Sequence, residues 1–108
     1  MKYAVQANLI FDVPAKRDQM SQAITDKIAG KLTWGSAIVS SGFDDKLQKP
    51  TTSTEIRFEN EADMDDLFTL IKNKMAQLPV LKGSVSKHLC SHDENPRPCV
   101  ISEKFEKV

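Results

Sequence analysis

The sequence predicts an α+β fold, one antiparallel sheet with two helices packed on a single face. Two observations lead to it. Residues 2–11 and 52–59 alternate apolar and polar side chains at the period of a strand, and two longer segments repeat apolar residues at helical spacing. The elements then run in the order β-α-β-β-α-β-β. The chain has 108 residues, 40% hydrophobic and 28% charged, which suits one globular domain spanning 1–108.

Strand 1 covers Lys2 to Phe11. Tyr3, Val5, Ala7, Leu9 and Phe11 point one way, and Ala4, Gln6, Asn8 and Ile10 the other. Asp12 offers an N-cap, and Pro14 suits a first helical turn, where a missing N–H costs little. Met20, Ala23, Ile24 and Ile28 form an apolar stripe, and Gly30 can stop the helix, so it spans about 13–30. Trp34 to Ser41 reads as a strand of small residues around Ile38 and Val39, with Trp34 as a core or edge anchor. Gly42 to Pro50 is polar and punctuated, hence a loop. Thr52 to Glu59 alternates again, with Thr54, Ile56 and Phe58 against Ser53, Glu55, Arg57 and Glu59.

Asn60-Glu61-Ala62-Asp63 opens the second helix as a capping box with Asp in the usual Glu position. Met64, Leu67, Phe68, Ile71, Met75 and Leu78 continue its apolar face, and Pro79 helps end it. The acids among Glu61 to Asp66 favour the helix dipole and need no metal. Ser84 to Ser91 reads as strand 4, with Val85 and Leu89 inward, and Cys99 to about Phe105 as strand 5 beyond a turn at 93–98. Two interleaved right-handed β-α-β units of this order give a ferredoxin-like βαββαβ plait with an additional C-terminal strand. Its spatial order should be 4-1-3-2, with the extra strand beside strand 4 or reaching another subunit.

If odd residues of strand 1 face the helices, Gln6 and Asn8 face away. Glu55 and Arg57 of strand 3 and Ser86, His88 and Cys90 of strand 4 then join them on the open face. The candidate ligand-binding set is therefore Gln6, Asn8, Glu55, Arg57 and His88. The bland alternative is a solvated face with a weak Glu55–Arg57 pair. Fifteen basic residues balance fifteen acidic ones, so no net charge draws the chain toward nucleic acid or an anionic membrane. The outward residues of strands 1 and 3 include no aromatic on which RNA bases could stack. No apolar run is long enough to span a bilayer, and Gln6 and Asn8 interrupt any signal-peptide stretch, so a cytoplasmic setting is expected.

Both histidines and both cysteines fall within His88 to Cys99. If Cys90 faces Cys99 across a symmetric hairpin, His88 falls opposite Ile101 and His92 opposite Arg97. Residues two apart on a strand lie about 6.6 Å apart, which permits chelation. His88, Cys90, His92 and Cys99 could then hold zinc or copper(I), although the spacing differs from common structural zinc patterns. A Cys90–Cys99 disulfide in an oxidising setting, or solvated imidazoles and thiols near a turn, are the other readings. His88 is the better catalytic candidate of the two histidines. An acid/base role needs a second group to hold the ring, and Asn8 or Gln6 could supply it. Signatures of serine hydrolases, zincins and phosphate loops are absent from the sequence.

Val13-Pro14-Ala15-Lys16-Arg17-Asp18-Gln19-Met20 after strand 1, and Glu55-Ile56-Arg57-Phe58-Glu59-Asn60-Glu61-Ala62 leading into helix 2, resemble the dimeric α+β barrel superfamily. They cover about a third of the chain and are structural rather than catalytic motifs. The resemblance implies a homodimer whose sheets face each other around a pocket. The superfamily includes cofactor-independent monooxygenases, but Ser36 to Ser41 is small and polar where those have an aromatic-rich strand, and the His/Cys hairpin is not part of their pattern.

Three functions follow as expectations. The first is a small homo-oligomeric binding or assembly module that uses the open sheet face for a small ligand or a protein partner, without a cofactor. The second is a cofactor-independent oxygenase or isomerase in which Asn8, Arg57 and His88 orient and polarise a substrate. The third is a transition-metal protein built on the His/Cys hairpin.

Overall fold

The computed structural model describes residues 3–30, 37–78, 80–89 and 100–107. Its elements are β1 (Tyr3–Phe11), α1 (Pro14–Ile28), β2 (Ala37–Asp44), β3 (Lys49–Phe58), α2 (Glu61–Gln77), β4 (Val80–Leu89) and β5 (Val100–Lys107). The strands form one sheet in the order β2-β3-β1-β4-β5, and every neighbouring pair is antiparallel. Read from β4, the first four strands stand in the order 4-1-3-2, with β5 outside β4.

The core lies between the helices and one sheet face. Val5, Ala7, Leu9 and Phe11 of β1 are buried with Ile56 and Phe58 of β3, as strand alternation requires. Met20, Ile24 and Ile28 of α1 and Met64, Leu67, Phe68, Ile71 and Met75 of α2 close over them. The helices touch each other, α1 lying toward β2 and β3 and α2 toward β4 and β1. Burying each large side chain contributes about 1.5–3 kcal/mol, so these stripes decide the placement of both helices.

Several local expectations change. Val13, not Asp12, occupies the N-cap of α1, and no side chain caps it. The Asp12 carboxylate instead lies 3.3 Å from the Lys16 ammonium one turn on. In α2 the expected cap forms: Asn60 Oδ1 accepts from the Asp63 N–H at 2.9 Å, and Asn60 Nδ2 donates to Asp63 Oδ2 at 2.9 Å. The loop expected over 42–50 shrinks to residues 45–48, because Gly42 to Asp44 extend β2 while Lys49 and Pro50 extend β3. Asp44 sets this turn. Its carboxylate accepts from the Leu47 N–H and its carbonyl from the Gln48 N–H, both at 2.7 Å, and Gln48 takes φ 57°. Pro50 is tolerated because pairing with β1 begins only at Thr51, opposite Ile10.

β4 starts four residues earlier than expected. The pairing with β1 shifts between Ile10–Lys82 and Phe11–Val80, leaving Leu81 as an extra residue. Val80 is therefore buried while Lys82, two positions on, is exposed on the other face. A second irregularity, between Lys87–Glu103 and His88–Ile101, leaves Ser102 extra on β5. Val85 is buried as expected, but Leu89 is 39% exposed near the end of the sheet. Trp34 and Pro79 lie outside the described residues.

Candidate functional site

The helix-free sheet face is built from the residues that the core alternation leaves over. Register fixes its rows. Ile38, Glu55, Gln6, Ser86 and Lys104 run across the sheet from β2 to β5. Ser40, Ser53, Asn8, Ser84 and Glu106 form the next row, and Arg57, Ala4, His88 and Ile101 the row on the opposite side. The five candidate ligand-binding residues, Gln6, Asn8, Glu55, Arg57 and His88, thus share one surface. His88 stands opposite Ile101, as a symmetric hairpin requires.

The polar groups brace one another across strands. Glu55 Oε1 accepts from Gln6 Nε2 at 3.0 Å and lies 3.7 Å from an Arg57 guanidinium nitrogen. Asn8 Oδ1 accepts from the Ser53 hydroxyl at 3.0 Å, which leaves the Asn8 amide N–H groups free to donate elsewhere. Both Arg57 and Glu55 are partly exposed, so their ion pair contributes little stability.

The residue that holds His88 is Ser86. Its Oγ lies 2.8 Å from His88 Nε2, both groups on the same side of β4. Desolvation in the sheet lowers the His88 pKa below its ordinary value, while the charge of Glu55 opposes that shift. The ring is therefore held toward its neutral form, able to accept a proton. Asn8 and Gln6, expected to orient it, are engaged with Ser53 and Glu55 instead. Arg57 and His88 share a row, separated by Ala4, and Asn8 stands two rows away, so the three line one surface without forming a single hydrogen-bonded cluster.

Toward the β2–β3 turn, the open face dips into a hollow of about 430 Å³. Asn8, Ile10, Thr51, Lys82, Ser84 and Glu106 are among its lining residues. The bulge at Leu81 lies beside it, where bulges generally sharpen twist, and Gly83 leaves no room for a side chain against β1. A shallower depression of about 250 Å³ adjoins it, bordered by Gln6, Asn8, Ile38, Ser53 and Glu55. Of these residues, sequence reasoning missed Thr51, Lys82, Ser84 and Glu106 as parts of a site. Thr51 to Thr54 carry hydroxyls on both faces, so polarity marks neither, and the bulge hides Lys82.

Cys90, His92 and Cys99 lie outside the described residues. Among the described residues, no group of three His, Cys, Asp or Glu side chains is placed to share a metal ion. No helix among them is long and apolar enough to cross a membrane.

No family model matches this chain, and no curated protein matches it. Two solved structures share its fold. One is the de novo designed protein Foldit4, with TM-score 0.58 and 12% identity over 86% of this chain and 100% of that one. The other is a phage SAM lyase in its apo state, with TM-score 0.53 and 7% identity over 98% of this chain and 88% of that one. At such identities the likeness is one of fold alone.

Proposed function

We propose that this chain is a homo-oligomeric binding module of the ferredoxin-like plait, pairing with a second copy through its open sheet face and holding a small ligand there. The strand order 4-1-3-2, all antiparallel, with both helices on one face, supports the plait, β5 being an addition at the β4 edge. One observation carries the functional reading. The centre of the open face is polar and hollowed, while its two edge strands each carry an exposed apolar residue, Ile38 at 60% on β2 and Ile101 at 53% on β5. Ile38 and Ile101 can anchor a face-to-face contact around a polar chamber. Five strands spaced about 4.8 Å apart and roughly 30 Å long offer about 700 Å² per copy. That is close to the ~800 Å² per partner of a stable interface. The compartment proposed for this dimer is the cytoplasm.

Sedimentation velocity tests the assembly. The protein is expected to be a dimer at micromolar concentration, and Ile38→Asp with Ile101→Asp to be a folded monomer. A monomeric parent protein overturns the face-to-face reading. Amide chemical shifts on titration with a panel of small polar metabolites test the ligand. SAM belongs in that panel because the phage lyase of similar fold acts on it. The expected result is shifts confined to open-face residues that vanish in an Asn8→Ala, Arg57→Ala double variant. Unmoved open-face amides across the panel overturn ligand binding.

A second reading is favoured by the Ser86–His88 contact. A near-neutral imidazole on a walled face can serve as a proton acceptor, with Arg57 and Asn8 polarising a small organic substrate, as in a cofactor-independent oxygenase or isomerase. Turnover that survives replacement of Asn8, Arg57 and His88 together would sink it.

A further inference from the structure

We propose that the hollow beside the β2–β3 turn takes a small zwitterion of the α-amino-acid type, an inference that rests on the ligand-binding reading above. Its volume, about 430 Å³, falls within the range of small-molecule sites. Its open-face side chains carry both signs of charge, Lys82 against Asp44 and Glu106. They are also separated across strands. Glu106 of β5 stands opposite Ser84, and Lys82 lies two residues further along β4, so an ammonium and a carboxylate occupy diagonal positions on adjacent strands.

The polar groups between them are available. Among the described residues the Lys82 ammonium and the Ser84 and Thr51 hydroxyls have no partner. Asn8 keeps its amide N–H groups for a ligand, because its oxygen is taken by Ser53. Lys82, Asn8 and Ser84 therefore present donors suited to a carboxylate. Among the described residues Glu106 is held only by an exposed contact with Lys104 at 3.6 Å, which an incoming ammonium can displace. Half-buried Ile10, between Thr51 and Lys82, offers the apolar surface for a side chain. A phosphate or dicarboxylate would meet Glu106 and Asp44, and a simple amine would meet Lys82. A ligand with one charge of each sign satisfies both ends.

The test uses three probes on the isotope-labelled full chain: L-phenylalanine, 3-phenylpropanoate, which lacks the ammonium, and phenethylamine, which lacks the carboxylate. Amide shifts at Asn8, Lys82 and Ser84 report binding. Phenylalanine is expected to bind about tenfold or more tightly than either analogue, the usual effect of one charge-assisted hydrogen bond. Lys82→Ala should reduce phenylalanine to the affinity of phenethylamine, and Glu106→Gln to that of 3-phenylpropanoate. Both side chains are exposed, so the variants should keep the fold. Equal affinities for the three probes, or no shift with phenylalanine, overturn the zwitterion assignment. If another compound of the panel still moves the open-face amides, the wider binding reading stands without it; if none does, both fall.

Discussion

Gly83 of β4 stands opposite Leu9 of β1. A Cβ added there would stand 2.5 Å from the Asn8 carbonyl oxygen and 2.9 Å from Leu9 Cα, both backbone atoms that cannot swing aside. Gly83→Ala should therefore cost about 1–3 kcal/mol, seen as a lower denaturant midpoint at unchanged slope, and should disturb the hollow beside it. His88 poses a different residue-scale question. Ala4 and Ile101 flank it without charge; Glu55, Arg57 and Lys104 are the charged groups of its own and the adjoining row, with Lys82 and Glu106 further off on the same face. Its pKa is lowered by desolvation, so below the ordinary value of 6.5 the folded protein holds fewer protons than the unfolded chain. Stability is then complete above pH 6.5 and falls as pH drops toward the folded-state pKa. Urea unfolding of His88→Gln should show a flatter pH dependence between neutrality and that lower value. An unchanged profile would assign the acid sensitivity to other groups. That His88 faces away from the helices was legible from the outward parity of strands 1 and 4. That a serine two residues away holds the ring was not, because such a contact depends on rotamers.

At the scale of elements, Lys87 of β4 adds a side-chain tie between β5 and α2 to the backbone ladder that holds β5. Lys87 points from β4 to the helix side, 3.0 Å from Asp65 of α2 and 3.3 Å from Glu103 of β5, with its ammonium 5.1 Å from the centre of the Phe68 ring. The hydrogen bond to Asp65 raises its pKa most, desolvation opposes this, and Glu103 raises it further. A raised lysine contributes stability that is present below its unfolded pKa and lost as pH climbs through the folded one, so this tie loosens only in strong alkali. Most of β5 is exposed, and Phe105 is its member packed on the core. Lys87→Met should cost roughly 1 kcal/mol, since both acids are about half exposed. It should also speed amide exchange in β5 more than in β1, and uniform acceleration would show that β5 is not a separate unit. The existence of β1 and of both helices was readable because their apolar periods run uninterrupted, while the ends of α1 were not: its N-cap is Val13 rather than Asp12, and it stops at Ile28. The start of β4 was not, because the extra Leu81 reverses which parity faces the core, and a bulge carries no periodic signal.

For the whole molecule, the proposed assembly rests on the open face. The helices cover the other face with Met20, Ile24, Leu67 and Ile71, all fully buried, so the core is complete within one copy. The proposed dimerisation would add to a fold that already stands, and mass action should then raise the melting temperature as protein concentration rises. The Ile38→Asp, Ile101→Asp variant should lose that concentration dependence. A melting temperature independent of concentration in both proteins would count against self-association through this face. No feature of the sequence measures how far apart two faces lie, so the hollow could not be anticipated. Its lining comes from β1, β2, β3, β4 and β5, which only strand register brings together.

The sequence by itself determined the α+β class, the order of elements, the helix-facing residues of β1 and β3, and the membership of Gln6, Asn8, Glu55, Arg57 and His88 in one surface. These follow from periodicity, and periodicity is local. Only the tertiary structure decided the rows across the sheet, the partnership of Ser86 with His88, and the meeting of Lys82, Glu106 and Asn8 around one hollow. Those depend on register between strands distant in sequence, which bulges at Leu81 and Ser102 reset in ways that local hydropathy does not record.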